Sequence, residues 1–478
     1  MNDTKKKKIE FGDFQTPFSL AKTVCNRLKD IGLNPKVIVE PTCGVGAFLL
    51  SSFDSFESAE TIVGYEINEN YLAELDASLT KCINTNKVTI KQGDFFSIDW
   101  SKELLFSNGE LLVIGNFPWV TNSGIGSIGG SNLPVKSNFL KHSGFDSISG
   151  KANFDISEWM LLEVMSWFAL RKGSIAMLVK TAVARKILSH AENQKACLVS
   201  SLIYKIDAKK EFNASVDACL LVMSFDFKAE EFVYDYEVFD SLDAKQSHTV
   251  GHRNGFTISD LISFNEYFYL FGNSPIKWRS GVKHDCSSVM ELTRIGDKYQ
   301  NGLGEVVSLE NDYVYPLLKG SDIGSDKKWR EKFVIVTQKK VGEDTDTIAT
   351  IAPKTWQYLN ANKELLNARG SSIYVKNPKF SVFGVGDYAF NDWKIAICAL
   401  YKNFEFRLVS PIEHKTVMFD DTVYYISFKN REEAEIVFSK ITSKEGLNFL
   451  KSLIFFDEKR PVKTGLLNVF DWTKVTNV

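Results

Sequence analysis

Short runs of branched apolar residues alternate with helical patterns along the first half of the chain, and that alternation most constrains the fold. Val37-Ile38-Val39, Thr61-Ile62-Val63-Gly64-Tyr65, Val88-Thr89-Ile90, Leu111-Leu112-Val113-Ile114 and Ser174-Ile175-Ala176-Met177-Leu178-Val179 read as strands. Leu20, Val24 and Leu28 mark one helix, and Ile156 to Leu170 and Thr181 to Ala191 mark two more. Ser215 to Phe225 reads as a late strand, preceded by Glu211-Phe212-Asn213. Such alternation predicts an α/β fold, a doubly wound sheet with helices on both faces.

Open sheets of this kind place ligands beyond the carboxyl ends of their strands, so the residues where each run stops carry the chemistry. The run from Leu111 ends in Gly115-Asn116-Phe117-Pro118-Trp119. Asn116 offers a side-chain carbonyl, Phe117 a main-chain carbonyl and Trp119 a flat ring, while Pro118 limits how the loop bends. Two acceptors beside a stacking surface suit a planar ring with an exocyclic NH2, such as adenine. A turn containing proline with an aromatic staple is the bland alternative. The first run passes through Glu40 into Pro41-Thr42-Cys43-Gly44-Val45-Gly46-Ala47-Phe48, a glycine turn where a ligand can lie against backbone. It is not the dinucleotide fingerprint, because the third glycine is absent and an acid precedes the turn. Glu66 closes the second run and suits two ribose hydroxyls, or is an exposed strand-end acid. Asp94-Phe95 follows the third and suits an adenine amino group and ring, or is a turn aspartate beside core rings. Thr16 before Pro17 reads as a helix start, with the proline at the first helical position.

A length of 478 residues exceeds one ordinary core, so two domains are expected, 1–240 and 255–478, with a polar, acidic junction between them. With 57 basic and 59 acidic residues the net charge is −2, so any surface for a polyanion must be local. Seven cysteines show no paired spacing for zinc or a disulfide framework, and no metal is expected. No apolar run reaches membrane-spanning length and no signal-peptide core is visible, which points to the cytoplasm. Lys5-Lys6-Lys7-Lys8 reads as a solvated end, with a phosphate contact as the alternative.

Each signal is weak alone, but their order is specific. The block from Phe14 to Pro17, the Glu40–Phe48 loop, Glu66, Asp94-Phe95 and Asn116–Trp119 resemble the ordered motifs of S-adenosylmethionine-dependent DNA adenine-N6 methyltransferases. They look like the restriction–modification class with cofactor motifs first, the Asn-Pro-Pro-aromatic motif next and the target recognition domain last. Asn138 and Lys151 to Ile156 also resemble a subset of that class. Phe117 departs from the pattern, standing where the first proline usually stands; the carbonyl remains while a restraint on the loop is lost.

The resemblance implies a methyltransferase (Rossmann-like) sheet followed by a C-terminal α+β DNA-recognition domain. It implies S-adenosyl-L-methionine as cofactor, with Thr16 and Pro17 bordering its methionine, and Glu40, Pro41, Cys43, Gly44, Gly46 and Phe48 holding methionine and sulfonium. Glu66 would hold the ribose, and Asp94 and Phe95 the adenine. Asn116, Phe117, Pro118 and Trp119 would form the catalytic loop, gripping the amine of a flipped adenine. Phe212 is a candidate for the base's other face, with a core phenylalanine as the alternative. The implied partner is double-stranded DNA, with room for a separate cognate restriction endonuclease, and a monomer is expected. An amine methyltransferase for RNA adenine or protein glutamine, and a catalytically silent DNA-binding protein, are the rival readings.

The glycine-rich stretch from Asn122 to Ser131 reads as a lid, a DNA-contact loop or a loose connection. In the second half, Lys277-Trp278-Arg279, Lys283-His284, Lys327-Lys328-Trp329-Arg330, Lys339-Lys340 and Lys376-Asn377-Pro378-Lys379 mix basic and aromatic residues. Each alone suits a solvated face. Given DNA as partner, Lys277, Arg279, Lys283 and His284 become candidate contacts. No helix-turn-helix, zinc-finger, repeat or nuclease signature is visible.

Overall fold

The alternation builds a ten-stranded sheet in the first of two units, which divide between Leu261 and Ile262. The structure, a computed structural model, describes residues 15–82, 85–104, 109–119, 155–325, 329–401 and 403–476. The Lys5–Lys8 block, Phe14, the Asn122–Ser131 stretch, Asn138, residues 151–154 and Lys327-Lys328 lie outside the described residues.

In chain order the first unit runs α1 (Phe18–Asp30), β1 (Val37–Glu40), α2 (Ala47–Ser55), β2 (Thr61–Glu66), α3 (Glu69–Leu79), β3 (Val88–Gln92), α4 (Trp100–Glu103) and β4 (Leu111–Asn116). It continues with α5 (Ile156–Ser166), β5 (Gly173–Lys180), α6 (Thr181–Asn193), β6 (Leu198–Ile206), α7 (Ala208–Phe212) and β7 (Ala218–Phe225). Three strands follow: β8 (Tyr236–Phe239), β9 (Ser247–Arg253) and β10 (Phe256–Ile258). The sheet order is β10-β9-β8-β6-β7-β5-β4-β1-β2-β3. Strands β3, β2, β1, β4 and β5 are parallel, and β7 lies antiparallel between β5 and β6.

From β1 the chain winds outward through β2 and β3, then returns to place β4 on the other side of β1. That reversal opens a crevice at the carboxyl ends of β1 and β4. Glu40 ends one strand and Asn116 the other, so topology alone brings them together. Every residue of β1 is buried, as are the first five of β4. Burial of each Val, Leu or Ile there contributes about 1.5–3 kcal/mol, which fixes the platform carrying the polar ends.

Some expected boundaries shift. Helix α1 begins at Phe18 rather than Pro17, because Pro17 keeps an extended ψ of 135° as N-cap while its carbonyl accepts the Ala21 N–H at 3.1 Å. Helix α5 stops at Ser166 rather than Leu170, since Phe168 is fully buried while Leu170 is 82% exposed and no helical face continues. The first unit also extends past the expected 240–255 junction, because β8 pairs with β6 and β9 and β10 add to that edge.

The second unit contains β11 (Arg279–Ser280), β12 (Glu291–Ile295), β13 (Lys298–Asn301), β14 (Val306–Val307), β15 (Val314–Leu318), β16 (Lys332–Ile335), β17 (Trp393–Cys398), β18 (Phe406–Val409), β19 (Met418–Phe419) and β20 (Val423–Phe428). They form a six-stranded sheet, β14-β13-β12-β16-β15-β19, and a four-stranded one, β11-β20-β17-β18. The helix Arg431–Thr442 buries Ala434, Val437 and Ile441, and Lys444–Ser452 follows it. Shorter helices lie between the strands, which pair largely antiparallel, so helices and antiparallel sheets together make an α+β unit. Among the described residues no helix is long and apolar enough to cross a membrane.

Candidate active site

The glycine turn after β1 is held by main-chain bonds that leave no room for side chains. The Cys43 N–H donates to the Tyr65 carbonyl at 2.7 Å, and the Gly46 N–H to the Cys43 carbonyl at 2.7 Å. Gly44 and Gly46 have φ of +53° and +85°, in the left-handed region that glycine favours. A Cβ on Gly46 would lie 2.2 Å from Leu75 Cδ1, so α3 packs directly on the turn. The Val45 N–H donates to Gln15 Oε1 at 3.2 Å, which brings the segment carrying Thr16 and Pro17 beside the loop.

Glu66, 9% exposed, joins this turn to the end of β2. Its Oε2 accepts the Gly44 N–H and its Oε1 the Asn68 N–H, each at 2.8 Å. A carboxylate offers about four lone-pair positions, so each oxygen keeps one for a ligand hydroxyl. Glu40 is 3% exposed, and its Oε2 meets no hydrogen-bond partner among the described residues. Burial pushes the Glu40 carboxyl well above the usual carboxylate range; the Leu49 N–H partly offsets this, and the nearby Glu66 charge adds to it. Burial favours the neutral form of such a carboxyl, and a positive charge brought beside it would favour the ionised one. Pro41, Cys43 and Gly44 line the turn, and burial likewise pushes the Cys43 thiol up. Phe48, on α2, is 1% exposed and belongs to the same core cluster as Cys43.

Beyond β3, Asp94 Oδ1 accepts the Phe96 N–H at 3.1 Å and Oδ2 the Ser97 hydroxyl at 2.9 Å. Asp94 therefore shapes its own turn, with lone pairs left over. Phe95 is 5% exposed rather than laid open for a ring. Its centroid lies 5.2 Å from Trp100 and 5.6 Å, edge-on, from Phe117. The bulk of Phe117 thus fills a core position beside Phe95.

At the end of β4 the Asn116 Nδ2 donates to Thr16 Oγ1 at 3.3 Å. This bond decides which way the amide points and gives Thr16 a role toward the loop. Pro118 is partly buried. Trp119 is not the open platform expected from sequence. It is 7% exposed, its indole N–H donates to the Leu178 carbonyl at 3.3 Å, and its ring meets Phe212 edge-on at 5.1 Å. An indole needs a partner for its N–H when buried, and β5 supplies one. Phe212 remains partly exposed. Sequence reasoning missed Lys180 and its ion pair with Asp155 beside this loop; the available signal was a lysine ending an otherwise apolar strand.

In the second unit Lys277 and Arg279 are exposed, and the Arg279 guanidinium lies 5.0 Å from the centre of the Tyr388 ring. Lys283 is partly buried, 3.5 Å from Asp285. His284 turns inward, contrary to its expected DNA contact. It is 8% exposed, its Nδ1 accepts the Cys286 N–H at 3.2 Å, and its Nε2 lies 3.5 Å from Glu291 Oε1. Both ring nitrogens are committed, which leaves no polar atom for a base or phosphate.

The polar groups gathered at the strand ends are the carboxylates of Glu40, Glu66 and Asp94, set around a largely buried glycine turn. They fit a ligand carrying positive charge, hydroxyls and an amino group, and the incomplete Glu40 carboxyl is where the charge belongs. Among the described residues no group of three His, Cys, Asp or Glu side chains could hold a metal.

Comparison with known proteins agrees with this arrangement. The family described as N-6 DNA Methylase matches residues 1–269. The Type II methyltransferase M.NspV of Nostoc sp. is 47% identical over 473 residues, which cover 98% of this chain and 98% of that protein. The solved structure of the Type IIL restriction-modification enzyme MmeI in complex with DNA aligns with a TM-score of 0.52 at 13% identity, over 97% of this chain and 66% of that one. At that identity the likeness is one of fold.

Proposed function

The chain belongs to the N-6 DNA methylase family, and on that premise we propose that it methylates specific sites in double-stranded DNA, at N6 of an adenine swung out of the stack. The observation that carries this reading is the meeting of Glu40, Glu66 and Asn116 at neighbouring strand ends where the strand order reverses. S-adenosyl-L-methionine, when bound, supplies a methyl group already activated on a positively charged sulfur.

The chain's own residues then bind and orient. Glu40 meets the positive charge of the donor, and the spare lone pairs of Glu66 meet its ribose hydroxyls. Asp94 accepts from its adenine amino group. The target amine is a poor nucleophile because its lone pair is delocalised into the purine. Accepting both its N–H bonds, at Asn116 Oδ1 and the Phe117 carbonyl, favours a pyramidal nitrogen and stabilises the developing positive charge. One such fixed group is worth about 3 kcal/mol by analogy with oxyanion-hole deletions. Trp119 anchors the loop, and the partly exposed Phe212 is the ring left for the base to stack against.

The second unit reads the sequence, with Lys277, Arg279 and Lys283 as candidate contacts to DNA. A separate endonuclease directed at the same site completes the biological reading. Unpaired thiols fit a reducing compartment, and we place the enzyme's work in the cytoplasm.

The test is labelled-methyl transfer to duplex DNA, RNA and protein by the wild type and Asn116→Ala. Label is expected in DNA adenine, lost in Asn116→Ala while calorimetric donor affinity holds. Label in RNA or protein glutamine overturns the substrate. Failure to bind donor marks a silent DNA-binding fold.

A further inference from the structure

Residues 120–154 connect Trp119 to Asp155, and one ammonium group holds both of those residues. Lys180, the last residue of β5, donates to the Trp119 carbonyl at 3.3 Å and to Asp155 Oδ2 at 2.6 Å. The side chains of Lys180 and Asp155 are only 21% and 8% exposed. Asp155 is itself fixed as the N-cap of α5, its Oδ1 accepting the Ser157 N–H at 3.1 Å and the Ser157 hydroxyl at 2.7 Å. Two residues earlier on β5, Leu178 accepts the Trp119 indole N–H and pairs in register with Asn116. Trp119 is therefore fastened to β5 through both its main chain and its side chain.

We propose that Lys180 is a positioning residue for methyl transfer, clamping the Asn116–Trp119 loop to the start of α5 so that the amine-gripping carbonyls stay in place. The proposal rests on the reading of that loop as the amine grip. Its physical basis is the phenylalanine at position 117. A proline there would hold the main-chain φ by its ring; phenylalanine does not, and the turn must be held from outside. Lys180 does so at the residue after Pro118, where a single bond constrains the direction in which the chain leaves the turn. The ion pair with Asp155 keeps the ammonium from swinging into solvent. Its partner Asp155 belongs to a capped helix rather than a loose loop, so the clamp has a rigid base. Neither Lys180 nor Asp155 is placed at the glycine turn or at Glu66, so donor binding does not depend on them.

The experiment uses the full chain with Lys180→Met, Lys180→Arg and Asp155→Asn, the last keeping the helix cap while removing the charge. Turnover at saturating donor and DNA is measured beside calorimetric donor affinity and the fluorescence of 2-aminopurine at the target base, which rises when the base leaves the stack. Lys180→Met is expected to lower kcat roughly 10- to 100-fold, the usual cost of misplacing a reacting group by about 1 Å. Donor Kd should stay within about twofold. Lys180→Arg should recover most of the turnover, and Asp155→Asn should fall between it and Lys180→Met. Full turnover in Lys180→Met overturns the proposal, as does donor affinity that falls in step with kcat, or an arginine no better than methionine. Should Lys180→Met fail to fold, Asp155→Asn decides, and normal turnover there is equally fatal. Asn116→Ala run in parallel separates the two levels. If it turns over normally, the reading of the loop fails; if it is dead while Lys180→Met is fully active, only the clamp fails.

Discussion

Glu66→Gln removes one acceptor without changing shape, and the structure says what that costs before any donor is present. Both carboxylate oxygens accept a main-chain N–H at 2.8 Å, from Gly44 in the glycine turn and from Asn68 at the N-cap of α3. A glutamine amide retains one acceptor oxygen and turns an NH2 toward the other donor. One charge-assisted bond is lost, worth about 1.5–3 kcal/mol, and the survivor falls to the neutral value of about 0.5–1.5 kcal/mol. The total is about 2–4 kcal/mol at a site only 9% exposed. For a unit of this size that lowers the melting temperature by roughly 5–15 °C. Calorimetric melting without donor measures it directly, and saturating donor should restore part of the loss by binding the folded state alone. Unchanged melting with weakened donor binding would mean that the carboxylate serves the ribose and not the turn. Unchanged melting and unchanged binding would refute both roles.

Lys394 is fully buried on β17, its ammonium donating to the Ala389 carbonyl at 2.8 Å, to Thr416 Oγ1 at 2.9 Å and to the Val417 carbonyl. Burial pushes its pKa down to about 7 from 10.5, with Asp392 opposing. Between those values the unfolded chain holds a proton that the folded one has shed, so this group makes stability rise with pH by up to about 1.4 kcal/mol per unit. Denaturation of wild type and Lys394→Met at pH 7 and 9.5 should give a difference between them that shifts in that sense; a constant difference sinks the assignment. A fragment ending at Leu261 should fold, bind donor and lose discrimination between DNA sites, whereas one ending at Lys228 should aggregate, because it lacks β8 to β10 and bares an edge of β6. Sedimentation and donor calorimetry on the two fragments check this, and site discrimination by the longer one would place recognition in the first unit.

The central parallel strands were legible because strands buried on both faces read as unbroken apolar runs. Their ends were legible because Glu40, Glu66, Asp94 and Asn116 interrupt those runs where packing asks for no polar group. Strand β6 was not, since Leu198–Ile206 mixes serines, a tyrosine and a lysine into a partly exposed pattern. Strands β8 to β10 are short and polar at a sheet edge, where neither period nor apolar content marks them. Side-chain direction was the larger gap. Nothing local in the sequence says that Trp119 turns its indole to Leu178, 59 positions away, or that His284 turns inward to Glu291. The Glu66 bonds to Gly44 and Asn68 are equally invisible, because their donors are main-chain groups that every residue type shares.

The added strands β8 to β10 also decide where the chain can be cut and rejoined. They carry it six strands away from β4 before it leaves the sheet, on the order of 30 Å at the usual strand spacing. The exit at Leu261 and the residues proposed to handle the methyl group thus sit at separate places on one scaffold. A splice between Leu261 and Ile262 would leave the turn after β1, the Glu66 anchor and the Lys180 clamp untouched. On the proposed division of labour between the two units, the second units of relatives could be exchanged there as cassettes, and each should bring its own target sequence to an unaltered methyl-transfer site.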